Sequence, residues 1–221
     1  AGSGCFVPRK LPVPNIDEFE NKNIFYSVKK RADFEGKKIL IAGGGDSALD
    51  YVMGFHQIAS DITLIHRRKE FKGVQDSVNK VMSLVDQGEI KFSMGTVKQI
   101  IDNGKGQVDV TLDDDTVIDD VDAIFPFFGL KIELGPIAEW GLNLENNLIS
   151  VNTENFETSV PRIFAVGDIC NYPGKLKLIL SGFHEAALAA KKMFTYCHND
   201  KKYVFRYTTS SKDIQEKLGV K

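Results

Sequence analysis

The run Lys37-Lys38-Ile39-Leu40-Ile41-Ala42 ends on three consecutive glycines, Gly43-Gly44-Gly45, and passes straight into Asp46-Ser47-Ala48. An apolar run of this kind reads as a strand buried on both faces. Beyond the glycines, Ala48, Val52, Phe55 and Ala59 recur at helical spacing over 46–59, with Asp46 or Ser47 as the expected N-cap. Residues 61–66 are again a buried strand. Strand, glycine turn, helix and strand then fit within about thirty residues, the size of a βαβ unit. Right-handed crossover makes the two strands parallel neighbours. The spacing G-x-G-x-x-A has a physical use. Gly43 permits a tight turn, Gly45 lets the backbone approach a pyrophosphate, and Ala48 lets the helix sit close on the strand. The helix start offers unpaired N–H groups and the positive end of the dipole, so the expected ligand is a dinucleotide.

The end of the second strand selects among dinucleotides. A site for a ribose 2′-hydroxyl carries an acidic residue there. This chain has His66-Arg67-Arg68-Lys69 instead, with Lys72 three residues further on. Guanidinium forks match a phosphate bidentately, so the expected cofactor is NADPH, with Arg67 and Arg68 on its 2′-phosphate.

Farther along, residues 74–87 read as a helix. Residues 90–125 change to short β-rich runs with Asn103-Gly104 as a hairpin signal. RIFAVGD (162–168) reads as a strand and turn, and 183–196 as a helix in which Ala186, Ala187, Ala190 and Phe194 repeat. The expected class is α/β: a Rossmann-like three-layer NADPH domain with an inserted β-meander, plus the C-terminal part of a second, similar domain.

Composition removes other classes. With 28 Lys and Arg against 30 Asp and Glu, the chain is no general nucleic-acid binder. No apolar run reaches the ~20 residues of a membrane span. The histidines lack metal-ligand spacing, so no metal is expected. Three scattered cysteines with no CxxC fit a reducing, cytoplasmic setting. Charge is uneven, however: residues 171–221 hold ten Lys and Arg against four acids.

GGGDSA followed about twenty residues later by HRRKEFK resembles the NADPH domain of thioredoxin-reductase-like flavoproteins, whose usual spacing is that of the phosphate-loop fingerprint. In that family the second motif ends in arginine, where this chain has Lys72. RIFAVGD resembles the family's flavin-binding strand, which gives Asp168 the FAD ribityl or pyrophosphate. Gly182-Phe183-His184-Glu185-Ala186-Ala187 resembles the helix start facing the flavin, placing Gly182, Glu185 and Ala186 at the cofactor. Thioredoxin reductases carry a CxxC before the phosphate loop, and residues 24–30 here hold no cysteine. PRKLP (8–12), LGPIAEWGL (134–142), GKLKLILSGFHEAA (174–187) and a C-terminal extension instead resemble the ferredoxin/flavodoxin–NADP reductase branch.

That resemblance implies an FAD- and NADPH-dependent oxidoreductase with Tyr207 stacked on the flavin and Thr208 supplying a hydroxyl. It implies an acidic ferredoxin or flavodoxin partner met by the basic C-terminal region, and a homodimer at full length. It divides the chain into 1–20 as the end of the FAD domain's first part and crossover, 21–132 as the NADPH domain, and 133–221 as the rest of the FAD domain, with hinges near 19–24 and 129–135. The family's FAD-domain GxGxxG unit has no counterpart here, and Ala1-Gly2-Ser3-Gly4 reads as a break inside the parent fold. This chain alone is therefore expected to bind NADPH, to hold FAD weakly and to turn over little. The alternatives are a disulfide reductase of the same family and an NADP(H)-binding module without turnover.

Overall fold

A computed structural model describes residues 5–204, 207, 209 and 211–219. The chain divides into two compact units, Val7–Lys131 and Ile132–Lys221 with Ala1–Phe6. Strand β1 (Cys5–Pro8) pairs with a strand at Leu130–Glu133 in a two-stranded ribbon.

The first unit is built on the βαβ element. Strand β2 (Lys38–Gly43), helix α1 (Asp46–Phe55) and strand β3 (Asp61–His66) follow one another, then α2 (Gln75–Asp86) and β4 (Lys91–Met94). An antiparallel meander of β5 (Val97–Asp102), β6 (Val108–Leu112) and β7 (Val117–Val121) intervenes before β8 (Ala123–Phe127). The main sheet runs β4-β3-β2-β8, all parallel. Its residues alternate between two cores. Ile39, Ile41 and Phe125 pack with Ala48, Leu49, Val52 and Phe55 of α1 and with Val81 of α2. Leu40, Ala42 and Ile124 pack with Val97, Val110 and Leu112 of the meander. The three layers are thus helices, parallel sheet and meander.

Several sequence expectations shift here. Helix α1 ends at Phe55, four residues before the expected end, with His56 as its C-cap. Its N-cap is Gly45, neither Asp46 nor Ser47, and no side chain caps it. Val74, the first residue of the helix expected over 74–87, lies before α2 and is 62% exposed. The segment expected as crossover and hinge is packed into this unit: Leu11, Val13, Phe19 and Ile24 are buried in the meander-side core. The Phe25 N–H donates to the Ile124 carbonyl at 3.0 Å, which locks that segment along β8.

The second unit continues from β9 (Leu130–Glu133) through a small sheet of β10 (Leu144–Glu145), β11 (Leu148–Ser150) and β12 (Cys170–Asn171), then the long helix α3 (Ile179–Cys197). Its core is smaller, formed by Leu134, Leu142, Ile149, Phe156, Ala165, Cys170 and Ala189. The expected strand at 162–168 forms one bridge, Glu157 to Phe164, flanked by backbone hydrogen bonds from the Thr158 N–H to the Ile163 carbonyl and from the Ala165 N–H to the Phe156 carbonyl. It ends in a 3₁₀ turn, Gly167–Ile169. Helix α3 starts at Ile179, not near Gly182, since nothing in Ile179-Leu180-Ser181 breaks a helix. Of its nineteen residues only Glu185 and Ala189 are buried, while Ala186, Ala187 and Ala190 are exposed, as are Ile179, Leu180 and Phe183. No helix among the described residues is long and apolar enough to cross a membrane.

Candidate nucleotide-binding site

The strand order turns between β2 and β8, and open α/β sheets bind ligands at the carboxyl ends of strands flanking such a reversal. A cleft of about 470 Å³ lies there. Gly43, Gly44 and Gly45 line it beside His66 and Arg67 at the end of β3, Lys72, Gly95 and Thr96 after β4, and Phe127 and Gly129 at the end of β8. A second cleft, of about 450 Å³, shares Gly45 and continues over Asp46, Ser47 and Ala48 toward Tyr51. The two clefts meet at Gly45, Phe127 and Gly129.

The glycines differ in what they do. A Cβ on Gly43 would sit 2.7 Å from the Phe127 carbonyl oxygen and 3.1 Å from the Ala48 Cβ, so that position must be bare for β2, β8 and α1 to meet. A Cβ on Gly44 would fall 2.4 Å from the His66 ring, which lies across it. A Cβ on Gly45 would meet nothing within 4 Å, so there the backbone faces open space. The Asp46 and Ser47 N–H groups open α1 and have no carbonyl four residues behind them within the helix. A bare, open glycine at a helix N-terminus fits a pyrophosphate.

Arg67, Arg68 and Lys72 are exposed, and neither arginine has an ion-pair partner among the described residues. His66 is half-buried. Burial holds its imidazole below the ordinary 6.5, and the Arg67 and Arg68 charges add to that against the hydrogen bond to the Glu70 carbonyl. The ring stays neutral at neutral pH, and its Nε2–H donates to that carbonyl. Phe71 packs beside it, with ring centroids 5.2 Å apart.

The second unit holds the remaining expected residues. Asp168 is exposed in the 3₁₀ turn. Helix α3 approaches that turn closely: a Cβ on Gly182 would lie 3.6 Å from the Gly167 Cα. Ala186 is exposed, whereas Glu185 is fully buried and faces into the unit. Its Oε2 accepts the Gly167 N–H at 2.6 Å, and its Oε1 accepts the Tyr172 hydroxyl at 2.7 Å and pairs with the Lys175 ammonium. Burial pushes this carboxyl up. The Lys175, Gly167 and Tyr172 donors outweigh that and hold it below the ordinary carboxylate value. The Cys170 thiol, within 3.5 Å of the same carboxylate, is pushed up to about 11, by burial first and then by the Glu185 charge. Alkylation of the folded chain at pH 8 should accordingly modify exposed Cys197 and spare Cys170, with peptide mass mapping as the measurement. Tyr207 is exposed, and Thr208 lies outside the described residues.

Sequence reasoning passed over Gly44, Gly73, Tyr172 and Lys175. The first could have been flagged, since His66 closes the adjacent parallel strand and points at the same turn. The last two sit in an irregular loop with no periodicity to mark them.

A family model described as pyridine nucleotide-disulphide oxidoreductase matches residues 2–190. The chain belongs to this family. A Parvibaculum lavamentivorans protein named ferredoxin–NADP reductase is 51% identical over 224 residues, covering all of this chain and 65% of that protein. A Nitrobacter winogradskyi protein of the same name is 52% identical over 223 residues, with the same coverage. The chain therefore spans about two thirds of the length of these curated relatives. Among solved structures, a Lactococcus lactis thioredoxin reductase in its FR conformation superposes with a TM-score of 0.70 at 24% identity, over 88% of this chain and 64% of that one. A Staphylococcus aureus bacillithiol disulfide reductase gives 0.70 at 16%, over 87% and 61%. The oxidoreductase fold is thus shared along nearly the whole chain.

Proposed function

We propose that the protein to which this chain belongs is a ferredoxin- or flavodoxin–NADP reductase using FAD and NADPH. The observation that carries the NADPH half is the cleft that joins an open glycine cradle to Arg67, with Arg68 next in the chain and neither arginine ion-paired among the described residues. The pyrophosphate lies over Gly45 and the Asp46 and Ser47 N–H groups, and Arg67 and Arg68 take the 2′-phosphate, with Lys72 beside them. The names of the relatives at about half identity support the carrier.

FAD, when bound, supplies the conversion of a hydride into single electrons. The residues of this chain that suit it are exposed Asp168 and the N–H groups of Ile179, Leu180 and Ser181 at the start of α3, which favour developing negative charge. Glu185 serves by holding the turn that presents Asp168. Tyr207 is the stacking residue of this reading and Thr208 its hydroxyl partner. The basic C-terminal region steers an acidic carrier, although buried Lys175 takes no part in that surface. The setting is the cytoplasm, and the full-length protein is a homodimer.

A disulfide reductase of the same family is disfavoured because the sequence has no CxxC. The test is a chain extended to the relatives' length, assayed with NADPH against ferredoxin, flavodoxin and a disulfide substrate. Reduction of a one-electron carrier, weakening as salt rises, is the expected result. Turnover of the disulfide alone overturns the proposal.

A further inference from the structure

Asp46 heads the helix whose N-terminus is assigned to a pyrophosphate, and a carboxylate there would face a dianion. The structure turns it away. Its Oδ1 accepts the Val74 N–H at 2.7 Å, a bond reaching 28 residues along the chain. Two residues earlier, the Lys72 N–H donates to the Gly44 carbonyl at 2.7 Å. Gly73 fits between these bonds with no room for a side chain: a Cβ there would lie 2.5 Å from Leu49 Cδ1 and 3.1 Å from Asp46 Oδ1. At the other end of the segment, the His66 ring lies on Gly44. The stretch carrying Arg67, Arg68 and Lys72 is irregular and mostly exposed, yet it is held to the glycine loop at both ends.

We propose that Asp46 is a positioning residue: by latching Val74 and seating Gly73 against α1, it fixes the arginine segment relative to the phosphate cradle and so sets the preference for a 2′-phosphorylated nucleotide. This rests on the NADPH reading above and deepens it. The latch acts on distance. A dinucleotide bound over Gly45 presents its 2′-phosphate at a fixed reach, and arginines on an unlatched loop lose ordering entropy in meeting it. A nucleotide with a 2′-hydroxyl gains nothing from the latch.

The test measures dissociation constants of NADPH and NADH for this chain by nicotinamide fluorescence, in the parent, Asp46→Ala, Asp46→Asn and Gly73→Ala. Asp46→Ala should lower the NADPH-over-NADH preference about tenfold, the size of one lost hydrogen-bonded contact, with NADH binding changed little. Asp46→Asn retains an acceptor oxygen without the charge, and should keep the preference within about threefold. Removing a charge near the pyrophosphate affects both nucleotides alike, so the ratio is insensitive to it. Gly73→Ala, which displaces the same segment sterically, should behave like Asp46→Ala and carries the test if that variant fails to fold. An unchanged ratio in the folded Ala variants, or a ratio lost equally in Asp46→Asn, overturns the proposal. A parent chain with no preference for NADPH overturns instead the reading on which it rests.

Discussion

Glu185→Ala should destabilise the second unit by about 3–5 kcal/mol, the usual cost of deleting one partner of a buried ion pair. The Lys175 and Glu185 side chains are only 5% and 1% exposed, so the abandoned ammonium cannot hydrate without opening the structure. The Gly167 N–H and the Tyr172 hydroxyl lose their acceptor in the same step. Trp140 provides the readout, because it is the sole tryptophan of the sequence and lies in this unit. Its fluorescence in a urea titration should show an earlier midpoint in the variant. The pH dependence has a definite sign. The folded carboxyl lies below its ordinary 4.5, so its contribution is fully present above about that pH and fades as pH falls below it. Parent and variant midpoints should converge in that acid window. A midpoint that stays put at neutral pH would sink the buried-pair account.

What was legible in the sequence was local. The βαβ unit could be read because β2, the glycine loop and α1 are specified within twenty residues, by an apolar run, three glycines and a helical repeat. The meander was visible through its alternation and its Asn103-Gly104 turn. What stayed hidden were polar contacts across loops. Asp46 read as an N-cap because its partner, Val74, is 28 residues away in a segment without period. Glu185 was placed at the cofactor by the resemblance of residues 182–187 to a flavin-facing helix start, and the sequence did not show the three groups of the loop before α3 that hold its carboxylate. The α3 boundary slipped because Gly182 looks like a helix breaker, whereas here it lies inside the helix that begins at Ile179. The alanine stripe of α3 suggested a buried face, yet it is exposed, since this unit's small core covers only one side of the helix.

Replacing Arg67 and Arg68 together by alanine should weaken NADPH binding about a hundredfold or more while leaving NADH binding within a few fold. Each guanidinium bond to a phosphate is charge-assisted, worth about 1.5–3 kcal/mol, and two lost bonds compound. The parent arginines are exposed and have no ion-pair partner among the described residues, so little of that energy is spent on breaking existing pairs. Folding should be untouched, because neither side chain contributes to the buried core. The single variants discriminate further. Arg67 lines the cleft beside Gly44 and His66, so it should cost more than Arg68, which does not line it. Lys72 also lines the cleft but presents a point charge rather than a fork, so Lys72→Ala should cost least. Salt supplies an independent check. Loss of two cations at the phosphate should flatten the ionic-strength dependence of NADPH binding toward that of NADH. If the double variant retained both its preference and its salt slope, the 2′-phosphate would have to lie elsewhere than at the end of β3.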